Sequence, residues 1–221
     1  MRHTIQTKNR QAGFSLVELL VAMLVMMVIT GAATSLLVGA FNVRSREDQR
    51  SEAIADARRA LNIITRELSN SGYRLPNGLS YTSAAGSNLV PVNGLIPGDC
   101  DATSLSFVSN LDGSSSVSEA DEATKYQFVQ TGGNSFLVRN DLNPPNGSLV
   151  LANRIDGMRF VYFDPNGNDV SANVAQATRV QINVWVTINP VGKAGSTGYQ
   201  PASQVRLSSD VNLRNATLLT F

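Results

Sequence analysis

The chain has 221 residues, of which 43% are hydrophobic and 16% charged, and its formal net charge is +1. This length can hold one membrane anchor and one modest soluble domain, and the near-neutral charge argues against a strongly basic nucleic-acid-binding protein. With one histidine, His3, and one cysteine, Cys100, the chain can form neither an intrachain disulfide nor a zinc site of clustered His and Cys ligands.

The N-terminus combines a basic leader with a long apolar segment. Arg2, Lys8 and Arg10 lie in residues 1–13, and residues 19–43 are 25 consecutive uncharged residues. A membrane-spanning helix needs about 20 apolar residues, so this segment is long enough to cross a bilayer. The positive-inside bias places the leader in the cytoplasm and the chain beyond the segment on the other side. We predict a single-pass membrane protein whose C-terminal domain faces away from the cytoplasm; in a Gram-negative cell this is an inner-membrane protein with a periplasmic domain.

One carboxylate, Glu18, lies at the start of the apolar segment. A charged side chain at the centre of a membrane helix costs about 2.5 to 3.5 kcal/mol, so Glu18 requires a partner. If the chain is cut between Gly13 and Phe14, the new amine lies four residues before Glu18, where opposite charges one helical turn apart can meet. The amine of a neighbouring copy is an equal alternative.

Residues 13–22, with the sequence GFSLVELLVA, resemble the class III signal of type IV prepilins and type II secretion pseudopilins. In that family a prepilin peptidase cuts after the glycine and methylates the new N-terminal residue. The resemblance implies that cleavage occurs between Gly13 and Phe14 and that Phe14 is the methylated terminus. It also implies that Glu18 pairs with a neighbouring subunit's amine during fibre assembly.

Two other interpretations of the N-terminus are weighed against this one. The basic residues and the small residues 31–33 imitate a cleavable secretory signal, and the apolar segment also fits an ordinary single-pass anchor. Glu18 argues against a secretory signal, and residues 19–43 exceed the usual length of its apolar region. We therefore expect the segment to be retained.

Removal of the leader changes the charge and the chemistry of the chain. Residues 1–13 contain three of the 18 Lys and Arg and none of the 17 Asp and Glu, so 15 positive and 17 negative residues remain, a formal charge of −2. His3 is lost with the leader, and catalysis that needs an imidazole is then excluded. We predict that the protein is not an enzyme and uses no cofactor.

Cys100 stands between Asp99 and Asp101. The two acids should raise the pKa of the thiol, so we predict an inert thiol rather than an intermolecular disulfide. Many major pilins close a C-terminal loop with a disulfide, which a single cysteine cannot do. Within the family that it resembles, the chain therefore fits a minor subunit better than a major one.

The helix is predicted to continue beyond the membrane segment. Apolar residues recur at steps of three and four, and charged residues occupy the other faces. The apolar stripe consists of Ile54, Ala57, Leu61, Ile64 and Leu68. A stop signal follows, in which Gly72 fits a left-handed cap. We predict one helix from about residue 15 to residue 71, roughly 80 Å long, with a membrane half at 14–43 and an amphipathic half at 44–72.

Residues 73–221 are predicted to form an antiparallel β-sheet domain. Turn residues punctuate residues 72–97, which indicates a long loop with one or two short strands. A hairpin is expected where Gly132 and Gly133 separate two alternating segments. Further strands are predicted at 104–108, 149–152, 158–163, 179–188 and 204–212. One long helix followed by a sheet that covers its apolar stripe is the α+β, pilin-like architecture.

Within the pilin family, the second half of the chain resembles the PilW and GspJ group of minor subunits. The residues that carry this resemblance are 58–61, 66–73, 101–107, 155–162 and 211–215. They span most of the chain after the leader, although they are looser than the N-terminal motif.

Asp164, Asn166 and Asn168 place oxygen-bearing side chains at alternate positions, as calcium loops do. The glycine is not at the sixth position of the loop, and Ala175 stands where a bidentate glutamate is required. These three residues are therefore weak calcium candidates, and we favour a hairpin turn at Asn166 and Gly167, with no metal site.

Arginines are scattered singly through the sheet region. They are Arg139, Arg154, Arg159, Arg179, Arg206 and Arg214. A nucleic-acid-binding surface needs a basic stripe, and none is visible in the sequence, so we expect no direct binding of nucleic acid.

The predicted function is that of a PilW-like minor pilin, a non-enzymatic subunit that primes assembly of a type IV pilus and caps it. The resemblance implies as partners prepilin peptidase, other minor pilins, the major pilin and a large adhesin at the tip, with the inner membrane as the site before assembly. One alternative is a GspJ-like pseudopilin of type II secretion. Another is a periplasmic binding domain tethered to the membrane that never polymerises.

Overall fold

The computed structural model describes residues 14–76, 78–83, 86–144, 147–153 and 155–216. Helix α1 (Leu16–Leu68) is followed by nine strands in this part of the chain. The strands are β1 (Ser80–Ser83), β2 (Gly86–Leu89), β3 (Ser104–Val108), β4 (Ala123–Thr131), β5 (Asn134–Asp141), β6 (Ser148–Ala152), β7 (Gly157–Phe163), β8 (Arg179–Ile188) and β9 (Ser203–Asn212). A 3-10 helix, Val174–Gln176, lies between β7 and β8. The α+β architecture predicted from the sequence is confirmed.

Helix α1 has 53 residues, which corresponds to about 80 Å at 1.5 Å per residue. It begins after Ser15, whose backbone is extended, and ends at Leu68, followed by the cap residue Ser69, whose N–H donates to the carbonyl of Thr65. No proline interrupts it. The predicted continuous helix is confirmed, with its C-terminal end three residues earlier than expected.

Only the C-terminal part of α1 contributes to the core. Its buried residues are Ala53, Ala57, Ala60, Leu61, Ile64 and Leu68. The predicted stripe is confirmed for four of its five members, but Ile54 is only half-buried. Ala53 and Ala60, which the prediction did not include, are buried as well. Their small side chains allow the helix backbone to approach the strands closely.

Strands β7, β8 and β9 form an antiparallel sheet, called sheet C, that packs directly on α1. The face towards the helix carries apolar residues from all three strands, and its central members are Val180, Ile182, Val184, Val186 and Ile188 of β8. The period-two alternation of β8 therefore reports a strand with one face buried. The observed bounds of β7, β8 and β9 agree with the predicted ones to within one residue.

Strands β3 to β6 form a second antiparallel sheet, called sheet B, in the order in which they occur. Gly132 and Gly133 join β4 to β5, and Thr131 pairs with Asn134 across the turn, so the predicted hairpin is confirmed. A register shift between Leu137 and Val138 interrupts the pairing of β5 with β6. Strands β1 and β2 form a separate two-stranded sheet within the predicted long loop.

The sequence led us to expect one antiparallel sheet, whereas the described strands form three. A bend precedes β3 at the junction of sheets B and C, where the carboxylate of Asp101 accepts the N–H groups of Thr103 and Ser104. Sheets B and C meet at this bend, where the N–H of Phe160 in β7 donates to the carbonyl of Ala102 at 2.9 Å, and their inner faces share one hydrophobic core.

The end of α1 is fixed to the domain through buried polar contacts. Gly72 has a φ of +78°, as predicted, and its N–H donates to the carbonyl of Val108 at 2.9 Å. The hydroxyl of Ser71 donates to the carbonyl of Asn93 at 2.6 Å. Asn93 is itself buried, and its side-chain amide donates to the carbonyls of Val174 at 2.8 Å and Ala177 at 2.9 Å. The contacts of Ser71, Gly72 and Asn93 thus join the end of α1 to β3 and to the 3-10 helix.

The connection from β8 to β9, residues 189–202, turns back towards the N-terminal half of α1. Val191 and Gln200 pair across it through two backbone hydrogen bonds of 2.9 Å. We call this segment the β8–β9 loop.

Candidate assembly site

The start of α1 carries the residues that the N-terminal motif singles out. Gly13 lies outside the described residues, and Phe14 is 81% exposed. Because Ser15 is extended and α1 starts at Leu16, Phe14 precedes the first helical turn. An intrachain contact between a Phe14 amine and Glu18 would therefore lack the helical geometry of an i, i+4 pair.

Glu18 lies in the first turn of α1 and is exposed. A carboxylate at this position interacts favourably with the positive end of the helix dipole. Among the residues that the structure describes, no ion pair or hydrogen bond of the Glu18 side chain is formed within the chain. The carboxylate is thus accessible from outside the chain.

The apolar part of α1 is uncovered. All residues from 14 to 38 are exposed, and an 18-residue window of the helix has a mean hydropathy of 2.4 with none of it buried. In the described part of the chain, α1 is the one helix long and apolar enough to cross a membrane by length and composition. Such a surface requires lipid or other apolar helices around it.

Sequence reasoning missed a second feature of this segment. Gly39, Asn42 and Arg46 are partly covered, unlike their neighbours, because the β8–β9 loop lies against them. The polar Asn42 inside an uncharged segment was the available signal. Their spacing of three and four places them on one face of α1.

Charged residues occupy the outer faces of α1, and among them Glu67 contacts sheet B. Its carboxylate accepts hydrogen bonds from the hydroxyl of Tyr126 at 2.6 Å and from Nε of Arg139 at 2.8 Å. Burial and the bond to Glu67 raise the pKa of Tyr126. Burial opposes the charge of Arg139, but its bonds to Glu67 and Asp121 outweigh that effect and raise its pKa. These contacts join α1 to sheet B and stabilise the packing of the helix on the sheet.

The thiol of Cys100 lies against the backbone of β3, where Sγ donates to the carbonyl of Ser106 at 3.2 Å. Burial raises the pKa of Cys100 to about 11. The predicted direction of this shift is confirmed, but the predicted cause is corrected: burial dominates, and Asp99 makes only a small contribution. A thiol with so raised a pKa is a poor nucleophile at neutral pH.

The weak calcium candidates form a self-contained turn. The carboxylate of Asp164 accepts the N–H groups of Asn166 at 2.9 Å and Asn168 at 2.8 Å and the side-chain amide of Asn168 at 2.8 Å. Within the described ranges no group of three or more His, Cys, Asp or Glu is placed to hold a metal ion. The predicted turn at Asn166 and Gly167 is present, but in this described segment the expected hairpin lacks its second strand: beyond the turn an isolated bridge joins Asp169 to Phe163, and the N–H of Val170 donates to the carbonyl of Tyr162 at 2.8 Å.

Three of the scattered arginines share the outer face of sheet C. Arg179 pairs with Asp210 at 2.6 Å, and its guanidinium lies 4.3 Å from the ring centroid of Phe163. Arg206 donates to Asn183 at 2.7 Å. Arg159 is exposed on the same face. Folding therefore brings three arginines that are far apart in the sequence onto one face. Two of them, Arg179 and Arg206, already form hydrogen bonds with neighbouring side chains.

Residues 8–34 match the family model of the prokaryotic N-terminal methylation motif. The match runs across Gly13, Phe14 and Glu18 into the apolar helix and spans 27 of the 221 residues, counted from 8 to 34. No curated protein matches the chain. The motif supports a protein of the type IV pilin and pseudopilin class, which implies processing by prepilin peptidase and assembly with other pilins. The apolar helix fits anchoring in a membrane before assembly.

Proposed function

We propose that the chain is a minor pilin, a non-enzymatic structural subunit that primes assembly of a type IV pilus and caps it. The exposed Glu18 at the start of an uncovered apolar helix carries this proposal. Cleavage between Gly13 and Phe14 creates an amine, which is methylated, and Glu18 of one subunit pairs with the amine of the next. Because Phe14 precedes the helix, the amine of a neighbouring copy is favoured over the chain's own.

Before assembly the protein is a single-pass protein of the inner membrane with its β-domain in the periplasm. The absence of histidine after residue 13 supports a role without imidazole catalysis. The raised pKa of Cys100 and its contact with Ser106 support a thiol that takes no part in cross-linking. At the fibre, the subunit contacts other minor pilins and the major pilin, presents a large adhesin and occupies the tip.

Replacement of Glu18 tests the assembly site. We expect Glu18→Ala to remain in the membrane fraction but to abolish pili, and Glu18→Gln, which keeps the shape without the charge, to do the same. Glu47→Ala is the matched control, because Glu47 lies on the same helix, is exposed and makes only a surface ion pair with Arg50 at 3.9 Å. Normal pili in the Glu18 variants would exclude this role and favour a tethered binding domain.

Mass spectrometry of protein isolated from cells tests processing separately. The expected N-terminal residue is methylated Phe14. A chain that retains residues 1–13, or one that begins after Ala33, contradicts the proposal.

The position in the fibre needs its own measurement. An epitope tag in the exposed turn at Asn166 should label fibre ends and not the shaft. Labelling along the shaft would indicate a body subunit. Loss of type II secretion with pili intact in a deletion strain would instead favour a GspJ-like pseudopilin.

A further inference from the structure

The β8–β9 loop contacts α1 beside the apolar segment. Arg46 donates to the carbonyl of Pro201 and to the hydroxyl of Ser203, the latter at 2.7 Å. About two helical turns towards the N-terminus, Gly39 meets Gly198. A side chain on Gly198 would overlap the Cα of Gly39, so the two backbones are as close as they can come. The loop is thus fixed to the helix at two levels.

The position of these contacts along α1 sets the depth of the loop. If the hydrocarbon core, about 30 Å thick, is centred on residues 14–43, its centre falls between Val28 and Ile29. At 1.5 Å per residue, Gly39 then lies about 16 Å from the centre, at the edge of the core. Arg46 lies about 26 Å from the centre, outside the headgroup layer of a bilayer about 40–45 Å thick.

The composition of the loop suits this depth. Residues 189–202 contain no Asp or Glu, one cation, Lys193, and one aromatic residue, Tyr199. Residues 192–197 are exposed, whereas Tyr199 is half-buried. Lysine and tyrosine are favoured at the membrane interface, since each combines an apolar body with a polar end that reaches the headgroups. A lysine near an anionic membrane surface also gains from electrostatic attraction.

From these observations we infer that the β8–β9 loop is a membrane-contact element, which inserts into the headgroup layer on the periplasmic side and binds lipid phosphate through Lys193. This inference rests on the membrane-anchored state in the proposed function. It assigns the β-domain a fixed orientation on the bilayer, with the loop end of sheet C towards lipid. The Asp164–Asn168 turn lies at the opposite end of β8, ten residues or about 30 Å away.

The test uses the full chain in unilamellar vesicles of phosphatidylethanolamine and phosphatidylglycerol, in a Cys100→Ser background. Single cysteines at Thr197, Ala33 and Asn166, all exposed positions, carry an environment-sensitive dye. Lipids with a nitroxide on the headgroup should quench the dye at Thr197 strongly and the dye at Asn166 little. Lipids with a nitroxide deep in the acyl chain should quench the dye at Ala33.

The outcomes separate this inference from the membrane anchor itself. A dye at Thr197 that behaves like the dye at Asn166, while the dye at Ala33 is quenched, overturns the loop inference and leaves the anchor intact. If the dye at Ala33 is also unquenched, both fail. In the unlabelled Thr197→Cys protein, a disulfide between two copies in the vesicles would show pairing between copies and overturn lipid contact.

A charge reversal gives a second readout. In the same vesicles, Lys193→Glu should shift the emission of the dye at Thr197 towards that in water, and Lys193→Gln should shift it less. Equal emission from the protein with Lys193, from Lys193→Gln and from Lys193→Glu would exclude binding of lipid phosphate by Lys193.

Discussion

The hydroxyl of Tyr126, a fully buried residue in the centre of sheet B, donates a 2.6 Å hydrogen bond to the carboxylate of Glu67 in the last turn of α1. Nε of Arg139 donates to the same oxygen at 2.8 Å. A hydrogen bond to a charged group contributes about 1.5–3 kcal/mol, so this contact is a substantial link between helix and sheet.

Tyr126→Phe is expected to lower the free energy of unfolding by about 2 kcal/mol, because it removes the bond to Glu67 and keeps the ring. The measurement is denaturant unfolding of the full chain in detergent, followed by the fluorescence of Trp185, the one tryptophan of the chain. Tyr73→Phe is the control, since Tyr73 is 38% exposed and should change stability by less than about 0.5 kcal/mol. Equal stabilities of the two variants would show that the link contributes nothing.

Asn93→Ala should be among the most damaging single substitutions in the β-domain. It leaves the carbonyls of Val174 and Ala177 and the N–H of Leu95 without their side-chain partner in a buried site. An unsatisfied buried group costs about 1–3 kcal/mol, so we expect a loss of roughly 3 kcal/mol or more in the same unfolding experiment. Asn215→Ala, which removes one bond to Ser71, should cost about a third of that.

The thiol of Cys100 should react slowly with alkylating reagents. At pH 8, raising the pKa from 9.0 to about 11 lowers the thiolate fraction about a hundredfold, and the alkylation rate should fall with it. The control is the same chain in denaturant, which should react like a free cysteine. A native rate equal to the denatured one would place the thiol in solvent.

The same shift makes stability depend on alkaline pH. The pKa of Cys100 is raised in the folded state, so its contribution is complete below pH 9 and is lost as the pH rises towards 11. Two pKa units correspond to about 3 kcal/mol at most. Between pH 9 and pH 11, the free energy of unfolding should depend less on pH in Cys100→Ala than in the original protein. The same pH dependence in both proteins would contradict the raised pKa of Cys100.

Gly198 and Gly39 face each other, yet alanine should have opposite effects at the two positions. Gly198 has a φ of +77°, and an added Cβ would overlap the backbone of Gly39, so Gly198→Ala should detach the β8–β9 loop. At Gly39 the new Cβ would lie 3.7 Å from Gly198, an ordinary contact, and helix propensity would improve by up to about 1 kcal/mol.

Limited digestion with trypsin measures this difference, because Lys193 is exposed in the loop. Cleavage after Lys193 should accelerate several-fold in Gly198→Ala and remain unchanged in Gly39→Ala. Similar rates in both variants would mean that the loop does not depend on the contact.

Local patterns in the sequence were sufficient to predict most helices and strands of this fold. The three- and four-residue spacing from Ala57 to Leu68 predicted the amphipathic half of α1, and the alternation in residues 179–188 predicted β8 with its buried face. The glycine pair at 132 and 133 predicted the hairpin. Each of these signals lies within a few residues, where a helix or strand imposes its own period.

Contacts between residues far apart in the chain could not be predicted from any such local pattern in the sequence. Glu67 looked like any charged residue on a solvated face, and its partner Arg139 lies 72 residues away. The contact of Arg46 with Ser203 spans 157 residues, and the division of the strands into separate sheets also arises from contacts between segments far apart in the sequence. The N-terminal motif is the exception, because its proposed role depends on consecutive residues and a second chain.

The change in exposure along α1 has a mechanical consequence. Residues 14–38 are exposed, whereas the stripe that starts at Ala53 is buried against the β-domain. In the proposed function, a force on the β-domain therefore reaches the apolar segment through one continuous helix. Transfer of that segment from a bilayer to a bundle of equivalent helices then exchanges one apolar environment for another and needs no refolding of the subunit.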